Sequence, residues 1–104
     1  MATIGNPYIA NLPKQMSNDE LAQAVRLDMI AEMETVVDYE AHAMATADAR
    51  VKKVMLHIAE EERQHMGELE QVLYMLSPKD EAQTQKGIQK IQQQKQQNFA
   101  PPLQ

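Results

Sequence analysis

Apolar residues recur along this chain in alternating steps of three and four, the spacing of one face of an α-helix. One row runs Ala22, Val25, Met29, Glu32, Val36, Tyr39, Ala43. A second runs Val51, Met55, Ile58, Glu62, His65, Leu69, Val72, Leu76. Ahead of the first row, Ser17-Asn18-Asp19-Glu20 has the form of a capping box, in which the serine and the glutamate each satisfy a backbone N–H of the other. The pattern predicts a helix from about 18 to about 46 and another from about 49 to 76 that stops at Ser77-Pro78. Thr46-Ala47-Asp48 is the break between them, and so short a connection makes the helices antiparallel neighbours.

The rest of the chain is less patterned. Residues 1–16 hold Gly5, Pro7 and Pro13 without a sustained period and read as an N-terminal arm. Ser77-Pro78-Lys79-Asp80 can open a third helix with Pro78 at its first position. That segment, about 80–95, is rich in glutamine and has only Ile88 and Ile91 to anchor it, so its helicity is expected to depend on docking. Residues 96–104, with Pro101 and Pro102, read as a flexible tail. The fold class is all-α: an antiparallel two-helix hairpin plus a short C-terminal helix, forming one helical domain over 17–95.

The two rows are interrupted in their interiors by Glu32 on the first helix and by Glu62 and His65 on the second. A carboxylate in an apolar seam is costly unless it is paired, protonated or bound to a metal. Glu32 and Glu62 are each fifteen residues from Ala47. Equal distance from the turn of an antiparallel hairpin means equal height. His65 lies one turn from Glu62 on the same face, so the three should converge. Two carboxylates and an imidazole suit Fe, Mn or Zn.

A two-helix hairpin cannot cover its own seam, and a unit of this size is marginal alone. A two-fold homodimer would close a four-helix bundle. It would bring a second Glu32, Glu62 and His65 to the same level, and the combined four carboxylates and two histidines are the ligand set of a carboxylate di-iron centre. A second stripe of Ile30, Met33, Val37, Ala41 and Met44 adds apolar surface for further oligomer contacts.

Composition narrows the field further. The 104 residues contain no cysteine, which rules out disulfides, thiolate zinc sites and thiol nucleophiles. A net charge of −5 argues against nucleic acid as a partner. No apolar stretch reaches membrane-spanning length, and the start of the chain has no signal-peptide pattern. The expectation is a soluble cytoplasmic protein. The eight methionines read as plastic core filling. Tyr39 reads as a core residue with a polar tip, and His42 and His57 as surface residues. On spacing alone Glu34 is a surface acid. The trio itself has two other readings: a polar group that only fixes register in a structural bundle scaffold, or a di-iron protein that reduces peroxide.

The stretch from Ile30 to His42 (Ile-Ala-Glu-Met-Glu-Thr-Val-Val-Asp-Tyr-Glu-Ala-His), followed by Ile58-Ala-Glu-Glu-Glu-Arg-Gln-His-Met-Gly-Glu, resembles the encapsulated ferritins. These are small ferritin-like proteins housed inside encapsulin shells or fused to the shell protein. The resemblance covers about Asn6 to Leu76. It implies a ferritin-like four-helix bundle made by two chains and a ring-like decamer assembled from dimers. It implies a ferroxidase, oxidising Fe(II) to Fe(III), with a di-iron centre at the dimer interface and an encapsulin nanocompartment as its location and partner. By position it makes Glu32, Glu62 and His65 the iron ligands, Tyr39 an aromatic beside them, and Glu34 one of the acids that lead iron inward. Two positions depart from the pattern: Ala31 stands where a second such acid is often found, and Asp38 where some members carry tryptophan. Residues 96–104 show no Leu-Thr-Val-Gly-Ser-Leu type of targeting signal, which leaves both a divergent tail and a shell fusion open as the route to the compartment.

Overall fold

Three helices follow one another: α1 over Asn18–Ala45, α2 over Ala49–Leu76 and α3 over Pro78–Gln97. The structure is a computed structural model that describes residues 15–97, among which there is no strand. Most of the N-terminal arm and nearly all of the tail expected from the sequence lie outside the described residues.

Each helix starts where the chain supplies an acceptor for its free N–H groups. At α1 the Ser17 hydroxyl accepts from the Glu20 amide at 3.1 Å, and the Glu20 carboxylate accepts from the Ser17 amide at 3.0 Å. At α2 the Asp48 carboxylate accepts from the Arg50 amide at 2.9 Å and also holds the Arg50 guanidinium. The Thr46 hydroxyl in turn accepts from the Asp48 amide at 3.1 Å, so the whole break is hydrogen-bonded. Between α2 and α3 only Ser77 leaves the helical state. Its amide closes the last turn of α2 on the Leu73 carbonyl, and its own carbonyl accepts from Asp80 at 3.0 Å. Pro78 follows at the first helical position, where its missing N–H costs nothing.

The hairpin has little interior. Six of the described residues are buried: Ala22, Val25 and Ala43 on α1, with Ala59, Leu73 and Tyr74 on α2. The α1 row read from the sequence is the one that α2 covers. On α2 the covered row keeps Met55, Glu62, Leu69 and Leu76 of the expected one but takes Ala59, Met66 and Leu73 in place of Ile58, His65 and Val72. Leu73 is 7% exposed while its neighbour Val72 is 37% exposed, and Val51 is exposed as well. Met55, Ala59, Glu62, Met66, Leu69, Leu73 and Leu76 form the row against α1, again in steps of four and three. The physical reason is that α2 is apolar over two adjacent rows and its own partner helix covers only one. The other, through Ile58, His65 and Val72, borders the open face. The second α1 stripe of Ile30, Met33, Val37 and Met44 is exposed too.

α3 leaves the hairpin at an angle. The molecule measures 57 × 44 × 19 Å and its radius of gyration is 18.0 Å, against about 13 Å for a compact chain of this size. One ion pair, Arg26 to Asp80 at 2.5 Å, ties the first turn of α3 back to α1. Ile88 and Ile91 are exposed. Its acidic first turn at Asp80 and Glu81 suits the positive end of a helix, and its glutamine and lysine content favours the helical state.

Three start residues have carboxylates that sit lower than usual in pKa. Glu20 is lowered by its bonds to the Ser17 backbone and hydroxyl, Asp48 by Arg50, and Asp80 by the Ser77 hydroxyl and then by the charge of Arg26. A folded pKa below the unfolded one adds stability above the unfolded value, and that stability is lost as pH falls through the folded one. Helix content followed by circular dichroism should thus be flat from neutrality down to the ordinary carboxylate range, near 4.5 for Glu20, and fall below it. In Ser17→Ala the capping box is gone, and α1 should lose about 1 kcal/mol of stability.

Candidate metal centre

Glu32 lies at the midpoint of α1 on the covered row, with Met29 one turn before it and Val36 one turn after. Glu62 sits opposite on the covered row of α2. His65, one turn on, lies on the adjacent row that borders the open face. The hairpin thus brings together the three residues that the spacing singles out. They offer ligand atoms that all lie within 4.8 Å of one another. The His65 Nδ1 is 3.5 Å from a Glu32 oxygen and 3.5 Å from a Glu62 oxygen.

These separations say what the cluster is suited to. At 3.5 Å the contacts are longer than good N–H···O hydrogen bonds, so the imidazole does not satisfy the carboxylates by direct bonding. Donor atoms bound about 2.0–2.2 Å from one shared cation stand roughly 3–4 Å apart. The donor set fits a borderline divalent ion in both chemistry and spacing. The side chains of Glu32 and Glu62 are 23% and 18% exposed, and that of His65 is 49% exposed. The carboxylates are therefore largely withdrawn from water, while the imidazole edge points out of the hairpin.

No arginine neutralises the pair. Arg63 bonds Glu40 across the hairpin at 2.6 Å, Arg26 takes Asp80, and Arg50 takes Asp48. Two withdrawn carboxylates with only a histidine between them repel each other and favour a cation. The backbone beside Glu32 is tied down: the Thr35 hydroxyl donates to the Glu32 carbonyl at 2.8 Å. Spacing alone gave no reason to single out Thr35.

Glu34 and Tyr39 are both half-buried on α1, and neither joins the cluster. Glu34 is two positions from Glu32 and so projects from another side of the helix. Tyr39 is about two turns further along the same row. His57 is exposed and faces Glu61 at 3.4 Å along α2, as a surface pair does.

No protein-family profile matches the chain. Comparison with individual proteins is more informative. The crystal structure of the encapsulated ferritin domain from Pyrococcus furiosus superimposes with a TM-score of 0.76 at 30% identity, covering 94% of this chain and 97% of that one. The encapsulin nanocompartment cargo protein EncC of Myxococcus xanthus is 31% identical over 85 residues, which is 82% of this chain and 65% of that protein. The ferritin-like-encapsulin shell fusion protein of Pyrococcus furiosus is 32% identical over 88 residues, 85% of this chain and 26% of the fusion. This chain, whose described residues form helices in a ferritin-like fold, belongs to the encapsulated ferritin family. It spans less than two thirds of the length of either of these two sequence relatives.

A cation that binds the folded hairpin and not the unfolded chain stabilises it by mass action, by about 2.7 kcal/mol at a concentration one hundred times its Kd. Adding Mn(II) or Zn(II) should raise the Tm of the native protein. Glu62→Ala and His65→Ala should each remove most of that rise, and an equal rise in the variants would show that the ion binds elsewhere.

Proposed function

We propose that this protein is a ferroxidase that takes Fe(II) as substrate at a site built by two chains and delivers Fe(III) for storage inside an encapsulin compartment. The observation that carries this reading is the convergence of Glu32, Glu62 and His65, whose ligand atoms lie within 4.8 Å of one another, with the imidazole facing the open side of the hairpin. Membership of the encapsulated ferritin family supports it, as does similarity to an encapsulin cargo protein and to a ferritin-like shell fusion.

Pairing of two hairpins through the face that carries His65 doubles the set to four carboxylates and two imidazoles. It also covers the adjacent apolar row through Ile58 and Val72, which a single chain leaves open. Four carboxylates carry four negative charges, which balance two Fe(II) ions. Bound iron supplies the electrons for dioxygen reduction. The residues have simpler tasks. Glu32 and Glu62, acceptors only when ionised, favour the more highly charged Fe(III) over Fe(II). His65 would be a third ligand and, being neutral in that role, would add no further charge. The Thr35 hydrogen bond to the Glu32 carbonyl holds that stretch of backbone. Glu34 stands nearby as an acid along the approach, and Tyr39 lies along the seam on the side of the turn.

The exposed stripe of Ile30, Met33, Val37 and Met44 supplies a second surface, by which dimers assemble into a ring, a decamer by family resemblance. An open ring encloses no cavity, so the mineral is held by the encapsulin shell. Location in that compartment, and the shell protein as partner, are part of the same proposal. No described helix is long and apolar enough to cross a membrane.

Aerobic addition of Fe(II) should give a growing Fe(III) absorbance with the native protein and background rates with Glu62→Ala. Equal rates would overturn the ferroxidase reading. Sedimentation should show association promoted by Fe(II), because each chain holds half of the ligands. A monomer that binds iron at the same stoichiometry per chain would overturn the shared site. A scaffold role, in which the trio only fixes register, predicts protein purified from iron-rich medium without iron and an oligomer indifferent to chelator.

A further inference from the structure

We propose that Met29 and Met66 form a thioether floor beneath the candidate metal centre and consume the hydrogen peroxide made there, each becoming a methionine sulfoxide. The inference rests on the ferroxidase reading above.

The placement follows from helix geometry. Met29 is three residues before Glu32, and Met66 is four residues after Glu62, so each lies one turn from a carboxylate on the same face, with Cβ atoms about 5–6 Å from those of the glutamates. In the antiparallel register the two fall at nearly the same height, both toward the end of the hairpin away from the turn. Both are half-buried. The layer on the opposite side of the trio is built from Val36, Ile58 and Ala59 instead. The site is thus bounded by branched and small aliphatic groups on one side and by sulfur on the other. Beyond the sulfur layer the hairpin is closed: Met29 and Leu69 pack against the buried cluster of Ala22, Val25, Leu73 and Tyr74.

Among the other described methionines, Met16 and Met55 are also half-buried, but neither lies one turn from a carboxylate of the trio. Met33, Met44 and Met75 are 53%, 82% and 77% exposed in the single chain, the first two on the stripe assigned above to assembly. Core filling in the layer below the trio needs no sulfur, since leucine has nearly the same volume.

The chemistry balances with dioxygen as the oxidant. Two Fe(II) give two electrons to O₂, which takes two protons and leaves as H₂O₂. A thioether lone pair then attacks one peroxide oxygen. The O–O bond breaks, an S=O bond forms, and the departing hydroxide takes a proton to leave as water. Sulfur is oxidised by two electrons and peroxide is reduced by two. Thioether oxidation needs no thiolate, metal or further cofactor and is reversible by dedicated reductases.

The test exploits exposure. Peroxide in bulk solvent oxidises the exposed methionines first, whereas peroxide made at the site reaches the withdrawn pair first. Native protein is loaded with Fe(II) in air, in the presence of catalase, and its peptides are analysed by mass spectrometry. The expected result is one added oxygen on Met29 and Met66 ahead of Met75, which is exposed and lies outside the assembly stripe, and ahead of Met55, which is half-buried two turns from Glu62. Added H₂O₂ without iron should instead oxidise Met75 ahead of the pair. In the Met29→Leu, Met66→Leu double variant, a peroxide-sensitive dye should respond from the first addition of iron. The native protein should show a lag until its thioethers are used. Fe(III) absorbance recorded in the same samples separates the two claims. Absorbance that grows while the pair stays unoxidised, or while peroxide is released without a lag, overturns the thioether sink and leaves the ferroxidase standing. Absence of protein-dependent Fe(III) formation overturns both.

Discussion

The register of α1 against α2 decides what this protein can do. It is set at the break, where the Thr46 hydroxyl accepts from the Asp48 amide and the Asp48 carboxylate caps α2, and held across the hairpin by Arg63 and Glu40. Slide one helix by a single turn, about 5.4 Å, and Glu62 no longer faces Glu32. The imidazole would then meet an aliphatic layer, and each carboxylate would be withdrawn from water with no counterpart. Because the helices run equally far from the turn, the same register that aligns the apolar layers also aligns the polar one.

The hairpin holds this polar layer at the expense of its own stability. Its buried residues are few and mostly small, and two layers of apolar side chains remain open on α2 and α1. A chain so constructed is stabilised by association, through burial of area at roughly 25 cal/mol per Å². It is stabilised further by any cation that relieves the repulsion between Glu32 and Glu62. Assembly and metal binding therefore favour the same state. In a larger ferritin-like bundle a single chain would supply all four helices; in the pairing proposed above the second pair comes from another copy.

Much of this was legible from the residues. Alternating steps of three and four placed α1 and α2 almost to the residue, the capping box marked the start of α1, and equal spacing from Ala47 put Glu32 and Glu62 at one height. What the pattern could not decide was which α2 row its own partner helix covers. Ile58, His65 and Val72 are as apolar as a row as Ala59, Met66 and Leu73, apart from the histidine, and periodicity cannot choose between neighbouring rows that both avoid water. That choice matters, because it puts His65 at the open border rather than inside the hairpin. The direction of α3 was also hidden, since its one tie to α1 joins Arg26 to Asp80, far apart in the chain and unremarkable in either neighbourhood. Thr35 gave no periodic signal at all, and its role is visible only in the hydrogen bond it makes.

The central claim is that three residues from each of two chains hold the substrate iron together. Diffraction from crystals of the iron-loaded protein, with data collected on either side of the iron absorption edge, tests it most directly. The account predicts a pair of anomalous peaks between two hairpins, each within bonding distance of Glu32, Glu62 and His65 side chains, with both chains contributing. Iron bound only at other carboxylates, or at Glu32, Glu62 and His65 of a single chain with solvent on the far side, would contradict it.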